Sequence, residues 1–225
     1  MLGERAAGRI SFAESIVNEA HSIVTLRLIL VADLLSVFSP LLQRGFMTKI
    51  QTGTVVKAVL CEQFGLSPEY VQDRIKTIFL DGKAVDDIDS AILKAGSTLA
   101  LSGPMPGLAG ATLRREGLLA SFRSQITHRG DKKDYPTRVE GMITVKIFNL
   151  LLDEIGPVFL KRGIYLPRGD FQDFFNNIPE KFQKEFGAAE VNGQKIDLDD
   201  LQKMDWLGQN DTVFLSVDFD APTSN

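Results

Sequence analysis

Cysteine is almost absent from this 225-residue chain, which carries Cys61 alone. A single thiol excludes an internal disulfide, makes a zinc or iron–sulfur centre ligated within one chain implausible, and fits a reducing compartment. Histidine is scarce as well: His21 and His128 stand apart, with no neighbour at the spacing of acid–base or metal chemistry. There is no excess of basic charge. A net charge of -4 and a pI of about 5.3 lack the electrostatic footprint of a nucleic-acid-binding domain. The most apolar stretch, "SIVTLRLILVADLLSVFSPLL" from Ser22 to Leu42, approaches the roughly 20 apolar residues of a spanning helix. Arg27, Asp33 and Pro40 cut it into shorter pieces, and the residues before it contain no apolar region directly after the basic start. The glycine-rich "GPMPGLAG" lacks the lysine and the strand–loop–helix register of a phosphate loop. No EF-hand spacing appears in the acidic "DDIDS" (Asp86 to Ser90) or "DLDD" (Asp197 to Asp200), which read as loop residues in Asx turns. These absences lead us to expect a soluble, cytoplasmic protein with no cofactor, no metal, no nucleic-acid partner and no membrane partner.

What is present is an internal repeat. "IVTLRLILVADLLSVFSPLLQRGF" (Ile23 to Phe46) aligns with "ITVKIFNLLLDEIGPVFLKRGI" (Ile143 to Ile164): a β-branched strand, a Leu-rich stretch containing proline, then Arg-Gly before an apolar residue. Gly53-Thr54 and Gly169-Asp170 each place an N-cap residue type before a helical apolar pattern. "FLDGKAVDDID" (Phe79 to Asp89) matches "VNGQKIDLDD" (Val191 to Asp200), and "GSTLALS" (Gly96 to Ser102) matches "NDTVFLS" (Asn210 to Ser216). The order is conserved between the copies, while the offset drifts as loops differ. Each copy reads as strand, short helix, strand, helix and two or more further strands. Asp81-Gly82 and Asn192-Gly193 are hairpin dipeptides.

Around the copies, "SFAE" (Ser11 to Glu14) has capping-box spacing ahead of Ile16, Val17 and Ala20, which predicts an N-terminal helix. "SPEY" (Ser67 to Tyr70) predicts a second capped helix to about Lys76, and Leu113 to Ile126 has a helical pattern. The division expected is an N-terminal helical extension over 1–21, a first unit over 22–103, a basic linker over 104–141 and a second unit over 142–225.

The order of elements resembles the β-grasp, or ubiquitin-like, fold, and both units resemble the sulfur carriers of molybdopterin and thiamine synthesis. The residues behind this are "LLSVFSPLLQRG" and "LLDEIGPVFLKRG" for the Leu-rich helix ending in glycine, and "AGSTLALSGPMPGLAG" for the last strand and tail. The resemblance implies an α+β fold of two tandem β-grasp units, each a mixed sheet packed on a helix. It also implies a C-terminal Gly-Gly as the working end. Here Gly107-Leu108 stands in its place and the chain continues, while the second unit's closing "VDFDAPTSN" has no glycine. The resemblance therefore implies that, as encoded, neither unit is expected to carry sulfur.

Two readings of the tail segment Pro104, Met105, Pro106, Gly107, Leu108 and Gly110 follow: a stiff turn between units, or a carrier end released by cleavage after Gly107 or Gly117. A basic patch including Arg114, Arg115 and Arg123 is a candidate contact for an acidic partner, against the ordinary reading of a solvated linker. The run "FQDFFNNIPEKFQKEF" reads as core more readily than as a groove, and Cys61 as a buried, inert thiol. The function expected is a non-catalytic adaptor or scaffold that binds an unidentified protein and is a candidate homo-oligomer. The alternatives are a carrier or modifier precursor, and an enzyme with a site between the units.

Overall fold

The computed structural model describes residues 22–30, 34–115, 117, 127–128, 137–184 and 186–219. The expected N-terminal helix, His21, Arg123 and most of the polar turn after His128 lie outside them. The apolar run does not form one helix. It splits into strand β1 (Ile23–Leu30), whose alternate residues Val24, Leu26, Leu28 and Leu30 are fully buried, and helix α1 (Leu35–Arg44). Among the described residues no helix is long and apolar enough to cross a membrane.

After α1 come β2 (Phe46–Gln51), β3 (Thr54–Val55) and a short helix α2 (Val56–Ala58) that continues as a π-helical turn over Val59–Gln63. Thr54 lies in a strand and does not cap this helix, whose cap position is Val55. Helix α3 (Pro68–Asp73) starts as its sequence predicts, with the Ser67 hydroxyl accepting from the Tyr70 N–H at 3.1 Å and proline in the first turn. Strands β4 (Thr77–Leu80), β5 (Lys83–Ala84), β6 (Ile92–Leu93) and β7 (Thr98–Ser102) follow, then helix α4 (Gly107–Leu113). The second repeat supplies β8 (Glu140–Phe148), α5 (Leu151–Arg162), β9 (Ile164–Pro167), α6 (Arg168–Asn176), α7 (Glu180–Lys184), β10 (Phe186–Val191), β11 (Gln194–Ile196), α8 (Leu198–Lys203) and β12 (Thr212–Phe219). Asp170 does not cap α6 but sits in its first turn, because the helix already starts at Arg168 after Pro167.

Both hairpin dipeptides form the expected tight turns. Asp81 and Gly82 have φ of 50° and 76°, Asn192 and Gly193 of 49° and 79°, so both central residues of each turn are left-handed. The acidic loops are turn devices: Asp87 accepts from the Asp89 N–H at 2.9 Å, and Asp197 caps α8 through the Asp200 N–H at 2.8 Å.

The fold is α+β with a large mixed sheet, but the expectation of one sheet per repeat is not met. A single ten-stranded sheet runs β11-β10-β1-β12-β9-β2-β8-β7-β4-β5, with β3 and β6 paired apart from it. The first strand of each repeat lies between strands of the other. β1 lies between β10 (antiparallel) and β12 (parallel), both from the second repeat. β8 lies between β2 (antiparallel) and β7 (parallel), both from the first. Equivalent strands β2 and β9 meet in the middle through the single pair Met47 and Tyr165. Sequence patterning fixes which face of a strand is buried but not which neighbour it pairs with, so the exchange is invisible to periodicity. The helices bury their apolar residues in one continuous core, where α1 and α5 pack so closely that a Cβ on Gly156 would reach Leu42 Cδ1 at 2.9 Å.

Candidate interaction surfaces

The tail-like segment leaves β7 at Ser102, whose hydroxyl accepts from Asn149 Nδ2 at 2.9 Å. Pro104 and Pro106 are exposed, and Pro106 precedes the first residue of α4. Proline fixes φ and stiffens this connection. Gly107 opens the helix with φ +75°. Gly110 has to lack a side chain, because a Cβ there would overlap the Met105 carbonyl that folds back against it. Leu108 is the most exposed large apolar residue described, at 75%. The segment is therefore folded into a helix start where the resemblance places a carrier's extended tail. Most of the helix expected over Leu113 to Ile126 lies outside the described residues.

The two described members of the basic patch part ways. Arg114 is exposed, while Arg115 is only 7% exposed. The backbone N–H of Arg115 donates to Lys76 O at 2.7 Å, and its Nη2 donates to Val71 O at 3.1 Å and Gln72 Oε1 at 3.3 Å. This arginine pins the outgoing chain to the end of α3, a role that charge counting does not predict. It also lines a cleft of about 510 Å³ with Lys57, Cys61, Gln72, Asp87 and Asp89. Lys57 pairs there with Asp89 at 3.0 Å. Burial pushes the Cys61 thiol up, opposed by the nearby Lys57 charge, so the group is held in its less reactive form. His128 joins the sheet edge instead, with its N–H donating to Ala84 O at 2.7 Å beside the parallel bridge of Thr127 to Ala84. The phenylalanine run is core: Phe171, Phe175 and Phe182 are buried. Among the described residues no cluster of three or more His, Cys, Asp or Glu is placed to hold a metal ion.

The second face of the sheet is the surface that motif reading missed. A register row crosses six strands through Thr98, Thr144, Met47, Tyr165, Phe214 and Thr25. Met47 and Met142, buried at 4% and 2%, pack with Tyr165 in a cluster separate from the main core. The Tyr165 and Phe214 rings lie 4.7 Å apart between centroids, and both are only partly buried. Charged groups flank the row. Lys49 pairs with Glu140 at 3.1 Å, and Arg27 pairs with Asp218 at 2.8 Å and Glu190 at 3.6 Å. The alternation in β8, β9 and β12 was the available signal, but only pairing across the repeats assembles the row.

On the helical side, Glu154 of α5 joins the second repeat to α3 of the first. It accepts from the Tyr70 hydroxyl at 2.7 Å and from the Arg74 guanidinium. The Arg74 hydrogen bond, with a smaller contribution from Tyr70, holds the Glu154 carboxyl below its ordinary 4.5, while burial and then Glu154 push the Tyr70 hydroxyl up. A carboxyl lowered on folding adds stability that is complete above 4.5 and is lost as pH falls through the folded value. Glu154→Gln is thus expected to lower the urea midpoint at neutral pH, with the gap to the parent narrowing as pH drops below 4.5. A gap that stays constant through acid would show that the charge is not what matters. Tyr70→Phe, which removes one donor, is expected to cost about 1 kcal/mol.

No family model, no curated protein and no solved structure matches this chain.

Proposed function

We propose that the chain is a non-catalytic adaptor or scaffold, built from two sulfur-carrier-like β-grasp units that have exchanged first strands, and that it binds a protein through the second face of its sheet. The observation that carries this reading is the Thr98–Thr144–Met47–Tyr165–Phe214–Thr25 row. Its centre is the partly exposed aromatic pair Tyr165 and Phe214, backed by the buried Met47, its ends are threonine, and ion pairs lie beside it. Protein interfaces share that anatomy, an apolar aromatic middle within a polar rim. Nothing comparable recommends the cleft beside Arg115, whose thiol is shifted away from reactivity and whose acids are engaged in turns and an ion pair.

Photo-crosslinking in the native host tests the reading. A photoreactive residue at Thr144 or at Phe214 is expected to capture the same partner, and one at Lys184, exposed on α7, is expected to capture none. Tyr165→Glu should reduce capture about tenfold, the effect of losing a central aromatic contact. Capture that is equal from both sides of the molecule would overturn the assignment. So would an intact-mass measurement that finds the native chain ending at Gly107 or Gly117 with sulfur replacing a carboxylate oxygen, which is the carrier-precursor outcome.

A further inference from the structure

We propose that the two parts of the chain on either side of residues 103–139 bind one another by mutual strand donation, so that a cut in this segment leaves a two-chain complex and releases neither part. This goes beyond the adaptor reading and does not rest on it. Without β8, the first part has an empty slot in its sheet: β2 on one side, β7-β4-β5 on the other. Without β1, the second part has a gap at a different place in its sheet, between β10 on one side and β12-β9 on the other. Each part holds the strand that fills the other's slot. β1 makes eight parallel pairs with β12 and five antiparallel pairs with β10. β8 makes six antiparallel pairs with β2 and five parallel pairs with β7.

Side chains lock the exchange. Val24, Leu26, Leu28 and Leu30 of β1 are fully buried in the common core, as are Ile143, Val145 and Ile147 of β8. At the mouth of one slot the Thr25 N–H donates to Asn192 Oδ1 at 3.0 Å, and the Asn192 N–H donates to Thr25 O at 2.9 Å. A donated strand that completes a sheet on both sides satisfies the backbone groups of two edges at once, the physics of strand-addition complexes. Withdrawing either strand would expose two edges and an apolar row together. A new C-terminus made at Gly107 or Gly117 would accordingly be displayed on the two-chain body, held by β1, and would not travel as a free small carrier.

The test keeps the whole chain and cuts it after folding. A protease recognition sequence is inserted after Gly117, the purified protein is cleaved, and its mass is measured by size-exclusion chromatography with light scattering. One peak at the full-length mass is expected, resolving into two bands only in denaturing gels. Two separate peaks in native buffer would overturn the proposal. Strand exchange itself is read by pairing Arg27→Cys with Glu190→Cys, which are register partners, in a Cys61→Ser background. After oxidation and cleavage this variant is expected to run as one band without reductant and two with it. Two bands in both lanes, with the column peak intact, would mean that β1 is not seated on β10, and would overturn the exchange.

Discussion

Replacing Phe159 with alanine is expected to lower the unfolding free energy by about 3–5 kcal/mol, the range for truncating a buried aromatic that leaves a cavity. Phe159 is 1% exposed and sits on the face of α5 turned toward the first repeat. Its ring lies 5.1 Å from Phe46 of β2 and 4.9 Å from Phe64 at the end of the π-helical turn, both edge-tilted. The guanidinium of Arg162, one turn further along α5, lies over the Phe64 ring at 5.8 Å from its centroid. Three aromatic rings from a helix of one repeat and a strand and turn of the other thus meet at one point. Loss of the central ring removes their contacts together, and the backbone around it, tied down by β2 and β8 pairing, has little freedom to collapse.

The measurement is a urea melt followed by two probes. Trp206, the only tryptophan, packs on Phe171 at 5.6 Å, so its fluorescence reports the second repeat's helical side. Far-ultraviolet circular dichroism reports the whole sheet. Because β1 and β8 cross between the halves, both probes are expected to shift by the same amount and remain coincident, as one cooperative unit requires. A Trp206 transition that stays put while the dichroism moves would mean that the halves unfold separately.

How much of this was legible beforehand depends on the range of the interaction concerned. Local chemistry was readable: Ser67 with Pro68 announces α3, Asp81-Gly82 and Asn192-Gly193 announce their hairpins, and Asp197 announces its cap. Each of these is decided within four residues by hydrogen bonds the chain makes with itself. The caps assigned to Thr54 and Asp170 failed for a tertiary reason. Thr54 pairs with Leu93 as a strand residue, and Arg168 begins α6 early with its N–H bonded to Asp211 O at 2.8 Å. In both cases a partner distant in sequence outbids the local cap. The strand exchange was not readable at all. β1 and β8 carry the same alternation, so either fits the apolar side of either half, and the choice rests on connection geometry that no pattern of residue types encodes. The same limit hid the row on the sheet's second face, whose centre, Met47 beside Tyr165, exists only because two equivalent strands meet there.

Gly163→Ala is the second large effect, expected at about 2–4 kcal/mol, and its repeat-equivalent Gly45→Ala should cost about half as much. Both glycines end a Leu-rich helix and open a strand, with φ of +93° and +116°, values that a side chain adopts only under strain. What differs is the neighbour across the sheet. At Gly45 a Cβ would meet Thr144 Cγ2 at 3.0 Å and Lys146 Cγ at 3.1 Å, and the flexible lysine can give way. At Gly163 it would overlap the Cζ tip of the Phe214 ring, and that ring is itself held against Tyr165. Backbone strain is common to the two sites, so the difference between the variants isolates the ring overlap. Phe214→Ala in the Gly163→Ala background should recover the excess and bring the pair of sites level, since contacting residues couple in a double-mutant cycle. Equal costs at Gly45 and Gly163 in the parent would show that strain alone decides, and that Phe214 yields to an added methyl. The unequal neighbours follow from strand order: β2, which Gly45 opens, lies beside β8, a first strand, whereas β9, which Gly163 opens, lies beside β12, a last strand. Gly45 therefore meets Thr144 and Lys146 of β8, and Gly163 meets Phe214 of β12. The two halves of the sheet are not related by a symmetric swap, and the two glycines report that difference.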